Sequence, residues 1–273
     1  MGGNVPSETV ADGFDLSGSV IWVTGSSRGI GRGVAEHVAR AGASVVVHAR
    51  TPEALAGVTE SVEETGAEVL AVSGDVRSED DLSAAVAAVA DRFGRLDGIV
   101  AGVGGAAPGP LAEIDLEKFR RQLDLNLTSA FATVRAGYPL LREARGAAVL
   151  VSATAATNAT PLFGAYGAAK AGIEHLTRSL AAEWGPDVRV NCISPGLIRT
   201  EGSMQAVFRG SEGLAAKAGR TTAVGRVGTP TDIAYACQYL LSEAAAYVSG
   251  AVLLVDGGPT EGPTQRILRA IAE

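Results

Sequence analysis

The chain has 273 residues, 47% of them hydrophobic, enough to bury a sizeable core in one or two domains. A net charge of −7 argues against a nucleic-acid-binding surface, and no apolar run approaches the roughly 18 residues of a membrane span. The two cysteines and three histidines show no metal-ligand spacing, so a disulfide or metal role is not expected.

Residues 1–14 carry acids and no basic segment, so they read as a short flexible lead-in to a cytoplasmic protein rather than as a signal peptide. From there strands and helices alternate. Ser19–Val23 is an apolar β run, followed by glycines and a helical pattern over Ile30–Ala41. Ser44–His48, Glu68–Val72, Gly98–Val103, Ala147–Ser152, Val188–Ile193 and Val252–Val255 are further strands. Helical patterns cover Ala54–Thr65, Leu82–Phe93, Leu116–Glu143, Tyr166–Trp184 and Thr231–Leu241, with an irregular stretch before the last. The strands are apolar on both faces, as in a parallel sheet covered by helices on both sides. The expectation is an α/β fold: one Rossmann-type, doubly wound parallel sheet of about seven strands, spanning 15–273. Ligands of such sheets bind at the carboxyl ends of the strands, where the winding reverses.

The first strand feeds Thr24-Gly25-Ser26-Ser27-Arg28-Gly29-Ile30-Gly31. Glycines here allow a sharp turn and close approach of a pyrophosphate, which meets the free N–H groups and positive dipole end of the next helix. Three glycines alone would make a plain tight turn; their place between strand and helix makes a dinucleotide site the better reading. The second strand ends in His48-Ala49-Arg50-Thr51, without the acid that would bond the ribose 2′-hydroxyl of NAD. Arg50 and Arg28 could clamp a 2′-phosphate, which favours NADP(H) over NAD(H); the alternative is two ordinary surface arginines. Asp75, in Gly74-Asp75-Val76, could accept a bond from the adenine amino group, or could be one of several acids opening a helix.

Tyr166-Gly167-Ala168-Ala169-Lys170 puts a phenol and an ammonium at i and i+4 on one helix face. A phenol titrates near 10. A lysine charge within about 4–6 Å, helped by an oxidised nicotinamide, favours the phenolate. Such a phenol could hand its proton to a carbonyl oxygen as hydride reaches the carbon.

Together these pieces resemble the short-chain dehydrogenase/reductase family from about Asp15 to Gly258. The matching residues are the glycine motif, Gly74-Asp75-Val76, Asn126 in Leu125-Asn126-Leu127, Tyr166 with Lys170, Ser194-Pro195-Gly196 with Thr200, and Asp256-Gly257-Gly258. The resemblance implies that Asn126 kinks the long helix and holds a water linked to Lys170. It implies that Pro195, Gly196, Ile198 and Thr200 cover the nicotinamide, that a substrate loop spans 199–225, and that the protein is a homotetramer. Two departures stand out. Ala101-Gly102-Val103-Gly104 replaces the family's Asn-Asn-Ala-Gly, and Ala153 stands where its substrate-orienting serine falls. Ser152 in a shifted register, Thr154, or no hydroxyl at all would then serve.

The leading expectation is a carbonyl reductase or alcohol dehydrogenase with Tyr166 as general acid, Lys170 tuning it, and Ser152 or Thr154 stabilising the oxyanion. An enoyl- or dienoyl-thioester reductase is the alternative, since Pro195–Gly202, Gly104-Gly105 and the tail after Gly258 look similar to that branch. A nucleotide-binding protein without chemistry is the third. Lys217 and Arg220 could meet a thioester's phosphates or be solvated loop charges, and Met204, Val207, Phe208 and Leu214 suggest an apolar lid.

Overall fold

The computed structural model describes residues 12–258. Seven parallel strands form one sheet in the order β3-β2-β1-β4-β5-β6-β7: β1 (Val20–Thr24), β2 (Ser44–Ala49), β3 (Val69–Ser73), β4 (Gly98–Ala101), β5 (Ala147–Val151), β6 (Arg189–Pro195) and β7 (Val252–Val255). Central strands β1, β4 and β5 are buried at every position, so their unbroken apolar runs are what a sheet covered on both faces requires.

One face is covered by α1 (Gly29–Arg40), α2 (Ala56–Glu63) and α9 (Pro230–Leu241), the other by α3 (Glu79–Phe93), α5 (Ser129–Ala144) and α6 (Gly164–Trp184), with α4 (Leu116–Leu123) packed on α6. The stripe Gly31, Val34, Ala35, Val38 and Ala39 shows how α1 seats itself: all five are buried at helical spacing. Ser78 caps the start of α3, its hydroxyl accepting from the Asp81 N–H, and Gly94 ends it in the left-handed region at φ 68°. Successive strands step outward from β1 to β3, then return to β4 on the other side of β1. That reversal opens a crevice above the carboxyl ends of β1 and β4.

Three local features bear on the sequence expectations. The helix read over Leu116–Glu143 is interrupted by a π-helical turn at Asp124–Thr128, around the Asn126 at which the resemblance implies a kink; the Asn126 side chain donates to the Gln122 carbonyl from within the helix. The stretch expected to be irregular contains α7 (Glu201–Ala206) and α8 (Glu212–Gly219), capped by the hydroxyls of Thr200 and Ser211. Residues 1–11 lie outside the described residues, but Asp12–Phe14 form a 3-10 turn, with the Phe14 carbonyl accepting from Gln238 of α9 at 2.8 Å. Among the described residues no helix is long and apolar enough to cross a membrane. Both cysteines are buried and unpaired.

Candidate active site

The glycine turn between β1 and α1 is fixed by the sheet beside it. The Gly25 N–H donates to the His48 carbonyl at 2.9 Å, and the His48 N–H donates to the Ser26 hydroxyl at 2.8 Å. Gly25 takes φ 72° and Gly29 φ 58°, where a side chain is strained. Gly31 is required for a different reason: a Cβ there would stand 2.3 Å from the Gly25 oxygen. The start of α1 has no acid in its first turn and no side-chain cap. A backbone cradle closed to any Cβ, leading into an uncapped positive helix end, fits a pyrophosphate. Ser27 is partly buried in this turn, Arg28 precedes α1 in extended conformation, and Ile30 lines the cleft.

Arg28 and Arg50 are both exposed, and the Arg50 charge is close enough to Asp75 to help lower its carboxyl. Asp75 is not as free as the sequence suggested. Arg77 binds it bidentately, Nε at 2.9 Å from Oδ1 and Nη2 at 2.5 Å from Oδ2, and holds its carboxyl down at about 2. An adenine amino group would have to share or displace that guanidinium. Val76 beside it is buried.

Tyr166 and Lys170 emerge from the first two turns of α6 into a cleft of about 240 Å³, which Gly102, Gly104, Ala153, Pro195, Gly196, Ile198 and Thr200 also line. The Lys170 ammonium sits 5.7 Å from the Tyr166 ring centroid and donates to the Val151 carbonyl at 2.8 Å. Within the chain alone the net shift of the phenol is upward, set by its burial. Burial pushes Tyr166 up to about 12 and pushes Lys170 down to about 8.

Asn126 lies under the same cleft. Its Oδ1 accepts from the Gly105 N–H, and its Nδ2 donates to the Gly105 carbonyl, each at 2.9 Å. Gly104 is wedged between it and the lysine: a Cβ there would lie 2.8 Å from Asn126 Oδ1 and 3.1 Å from Lys170 Nζ. Gly104 is thus the position of this segment that Lys170 requires to be small, and it is where the family's Asn-Asn-Ala-Gly also ends in glycine. Across the cleft, Gly196 lies so close to Asp256 that a Cβ would meet its Cα at 2.7 Å. Ile198 is buried, and Thr200 forms a reciprocal capping box with Ser203.

Ser152 lines the same cleft, with its hydroxyl engaged inside the chain. It is buried, and its hydroxyl lies 3.0 Å from the Lys170 carbonyl and 3.1 Å from Glu174 Oε1, two acceptors that use its single proton. Glu174 also accepts from Ser194 at 3.2 Å, joining the ends of β5 and β6 to α6. Sequence reasoning missed this carboxylate, although Tyr166, Lys170 and Glu174 follow one another at i, i+4 and i+8. Ala153, extended at φ −165°, lines the cleft beside it. No group of His, Cys, Asp and Glu among the described residues could hold a metal ion.

A family model described as enoyl-(acyl carrier protein) reductase matches residues 25–260. The 7alpha-hydroxysteroid dehydrogenase of Escherichia coli is 34% identical over 250 residues, covering 91% of this chain and 96% of that protein. Carveol dehydrogenase from Mycobacterium avium, solved in complex with NAD, is similar with a TM-score of 0.83 and 30% identity, covering 89% of this chain and 98% of that one. A Beutenbergia cavernae protein described as an NAD(P) dependent gluconate 5-dehydrogenase, with bound NADP, gives 0.82 and 32%, covering 90% and 98%. The chain belongs to the short-chain dehydrogenase/reductase family. It is a hydride-transferring oxidoreductase that uses a pyridine nucleotide.

Proposed function

We propose that the protein interconverts a ketone and a secondary alcohol, with NADP(H) as its preferred cofactor and Tyr166 as the group that gives or takes the proton. The observation that carries this reading is that Tyr166, Lys170 and the Pro195–Gly196 turn share one cleft beside an uncapped glycine cradle. When bound, the nicotinamide supplies or accepts the hydride. Residues 25–31 would hold its pyrophosphate, Arg28 and Arg50 a 2′-phosphate, Asp75 and Val76 the adenine side, and Pro195, Gly196, Ile198 and Thr200 the nicotinamide side.

The chain's own part is protonic. A phenol whose pKa lies near 12 stays protonated at neutral pH and can donate to a carbonyl oxygen as negative charge develops there. Lys170, charged below about pH 8, stands against the Tyr166 ring and stabilises the phenolate left behind. Asn126 and Gly104 fix the lysine from below. With Ser152 committed elsewhere and Ala153 at the cleft, Tyr166 is the principal donor to the substrate oxygen.

Initial rates with a panel of ketones and both reduced cofactors test this. NADPH-linked ketone reduction is expected; NADH preference would remove the 2′-phosphate clamp. The missing hydroxyl, together with the family description, favours a second reading, reduction of an enoyl thioester. Turnover of an enoyl thioester without turnover of any ketone would establish it instead. Assembly as a homotetramer in the cytoplasm belongs to the same proposal, and light scattering of the purified protein checks the tetramer.

A further inference from the structure

The loops around the reacting position lack charge to an unusual degree. No charged residue occurs in residues 98–112, 146–169 or 190–198, the three segments that follow β4, β5 and β6 or lead into them. Three charges near these segments are engaged. Lys170 belongs to the catalytic pair, Arg199 is paired with Glu212, and the Lys118 ammonium lies on the Pro108 carbonyl at 3.4 Å. Glu201 is exposed at the start of α7.

Beside Tyr166 the first two segments meet and form an apolar ridge. The Gly109 N–H donates to the Leu162 carbonyl at 2.9 Å. Leu111 closes over Gly164, where a Cβ would stand 2.6 Å from its Cδ1, and the Phe163 ring lies edge-on to the Tyr166 ring at 6.4 Å. Leu162 is unfavourable here on two independent counts. It takes φ 70°, a region a leucine enters only at a cost, and its side chain is 52% exposed. Leu111 is 59% exposed beside it. A glycine or asparagine would suit that backbone better, and neither leucine recovers its cost by burial within the chain. A ligand that covered the ridge would offset both terms. Size points the same way: a cleft of about 240 Å³ that admits the nicotinamide leaves little room for the rest of a substrate, and the Phe163 ring beside Tyr166 connects the cleft to the ridge.

We infer that the substrate is an uncharged, apolar ketone or secondary alcohol of bicyclic size or larger, and that Leu162, with Leu111, is the residue that selects it. This rests on the ketone–alcohol reading above. An anionic substrate would find no unpaired cation on these loops, and a small polar one would leave the ridge uncovered.

The test compares cyclohexanone, 1-decalone and 4-oxocyclohexanecarboxylate with wild type, Leu162→Gly and Leu162→Lys. Wild type is expected to prefer 1-decalone and to turn over the carboxylate least. Leu162→Gly should raise KM for 1-decalone about tenfold, the loss of one half-exposed leucine contact, and leave KM for cyclohexanone and for cofactor within about twofold. Its Tm should not fall, because the left-handed position suits glycine. Leu162→Lys should favour the carboxylate. An unchanged KM for 1-decalone in Leu162→Gly, or a wild-type preference for the carboxylate, overturns the inference and leaves ketone reduction standing. Absence of turnover with all three ketones, in protein that binds NADPH, overturns the ketone–alcohol reading itself and this inference with it.

Discussion

Ala153→Ser is expected to accelerate ketone reduction. The site offers a clear reason: Ala153 lines the cleft beside Tyr166 with extended backbone and partial exposure, so a hydroxyl added there would enter the space where the substrate oxygen reacts. The neighbouring hydroxyl of Ser152 is instead engaged with the Lys170 carbonyl and Glu174. A hydrogen bond to a developing charge is worth about 1.5–3 kcal/mol, or roughly 10- to 150-fold in kcat. Steady-state kinetics with a ketone at saturating NADPH reads this directly, with cofactor KM as the control for general disturbance. Ser152→Ala provides the converse. It should lower stability by about 1–3 kcal/mol, because buried acceptors lose their donor, while kcat changes by less than an order of magnitude. If Ala153→Ser leaves kcat unchanged and Ser152→Ala abolishes it with the fold intact, the assignment of these two positions is reversed.

Three further outcomes follow from the geometry. Burial holds Lys170 at about 8, so kcat/KM for reduction should fall about tenfold per pH unit above that value. The unfolded lysine keeps its proton to its ordinary, higher value, so the same group should make global stability rise with pH above about 8 and lose that gain as pH falls back through it. Lys170→Arg, charged throughout, should remove the break in the rate profile. Gly31→Ala would place a Cβ 2.3 Å from the Gly25 oxygen, so cofactor affinity measured by fluorescence titration should drop by more than tenfold, with about 1–3 kcal/mol lost in stability. Arg50→Asp should weaken NADPH binding by more than an order of magnitude and spare NADH, since a carboxylate there repels a 2′-phosphate and accepts from a 2′-hydroxyl. An unaltered ratio of the two affinities would place the 2′ position elsewhere.

Much of this architecture is legible in the sequence because the forces that set it are local. Runs such as Val45-Val46-Val47 can only be satisfied by burial on both faces, and the buried stripe of α1 repeats at helical spacing. The glycine cradle and the Tyr166–Lys170 pair are legible for the same reason: each is a short-range pattern with a chemical purpose. What escaped depends on neighbours distant in sequence or on the exact conformation of a side chain. Glu174 matters because Ser152 and Ser194 arrive from two other strands. The pairing of Arg77 with Asp75 turned a free acceptor into an occupied one, a rotamer outcome that spacing alone does not fix. The pKa of Tyr166 within the chain alone is raised because burial of the phenol outweighs a lysine that is itself buried and engaged by Val151. Helices α7 and α8 were readable in part, through the capping residues Thr200 and Ser211, but their apolar pattern is weak.

The proton donor is the point on which the chemistry turns, and Tyr166→Phe isolates it by removing one oxygen from a ring that otherwise stays in place. Single-turnover reduction of a ketone by the NADPH-loaded variant should be slower by about 10²–10⁴-fold, with NADPH affinity unchanged within about twofold. A variant that binds NADPH normally and reduces the ketone at the wild-type rate would contradict the assignment of Tyr166.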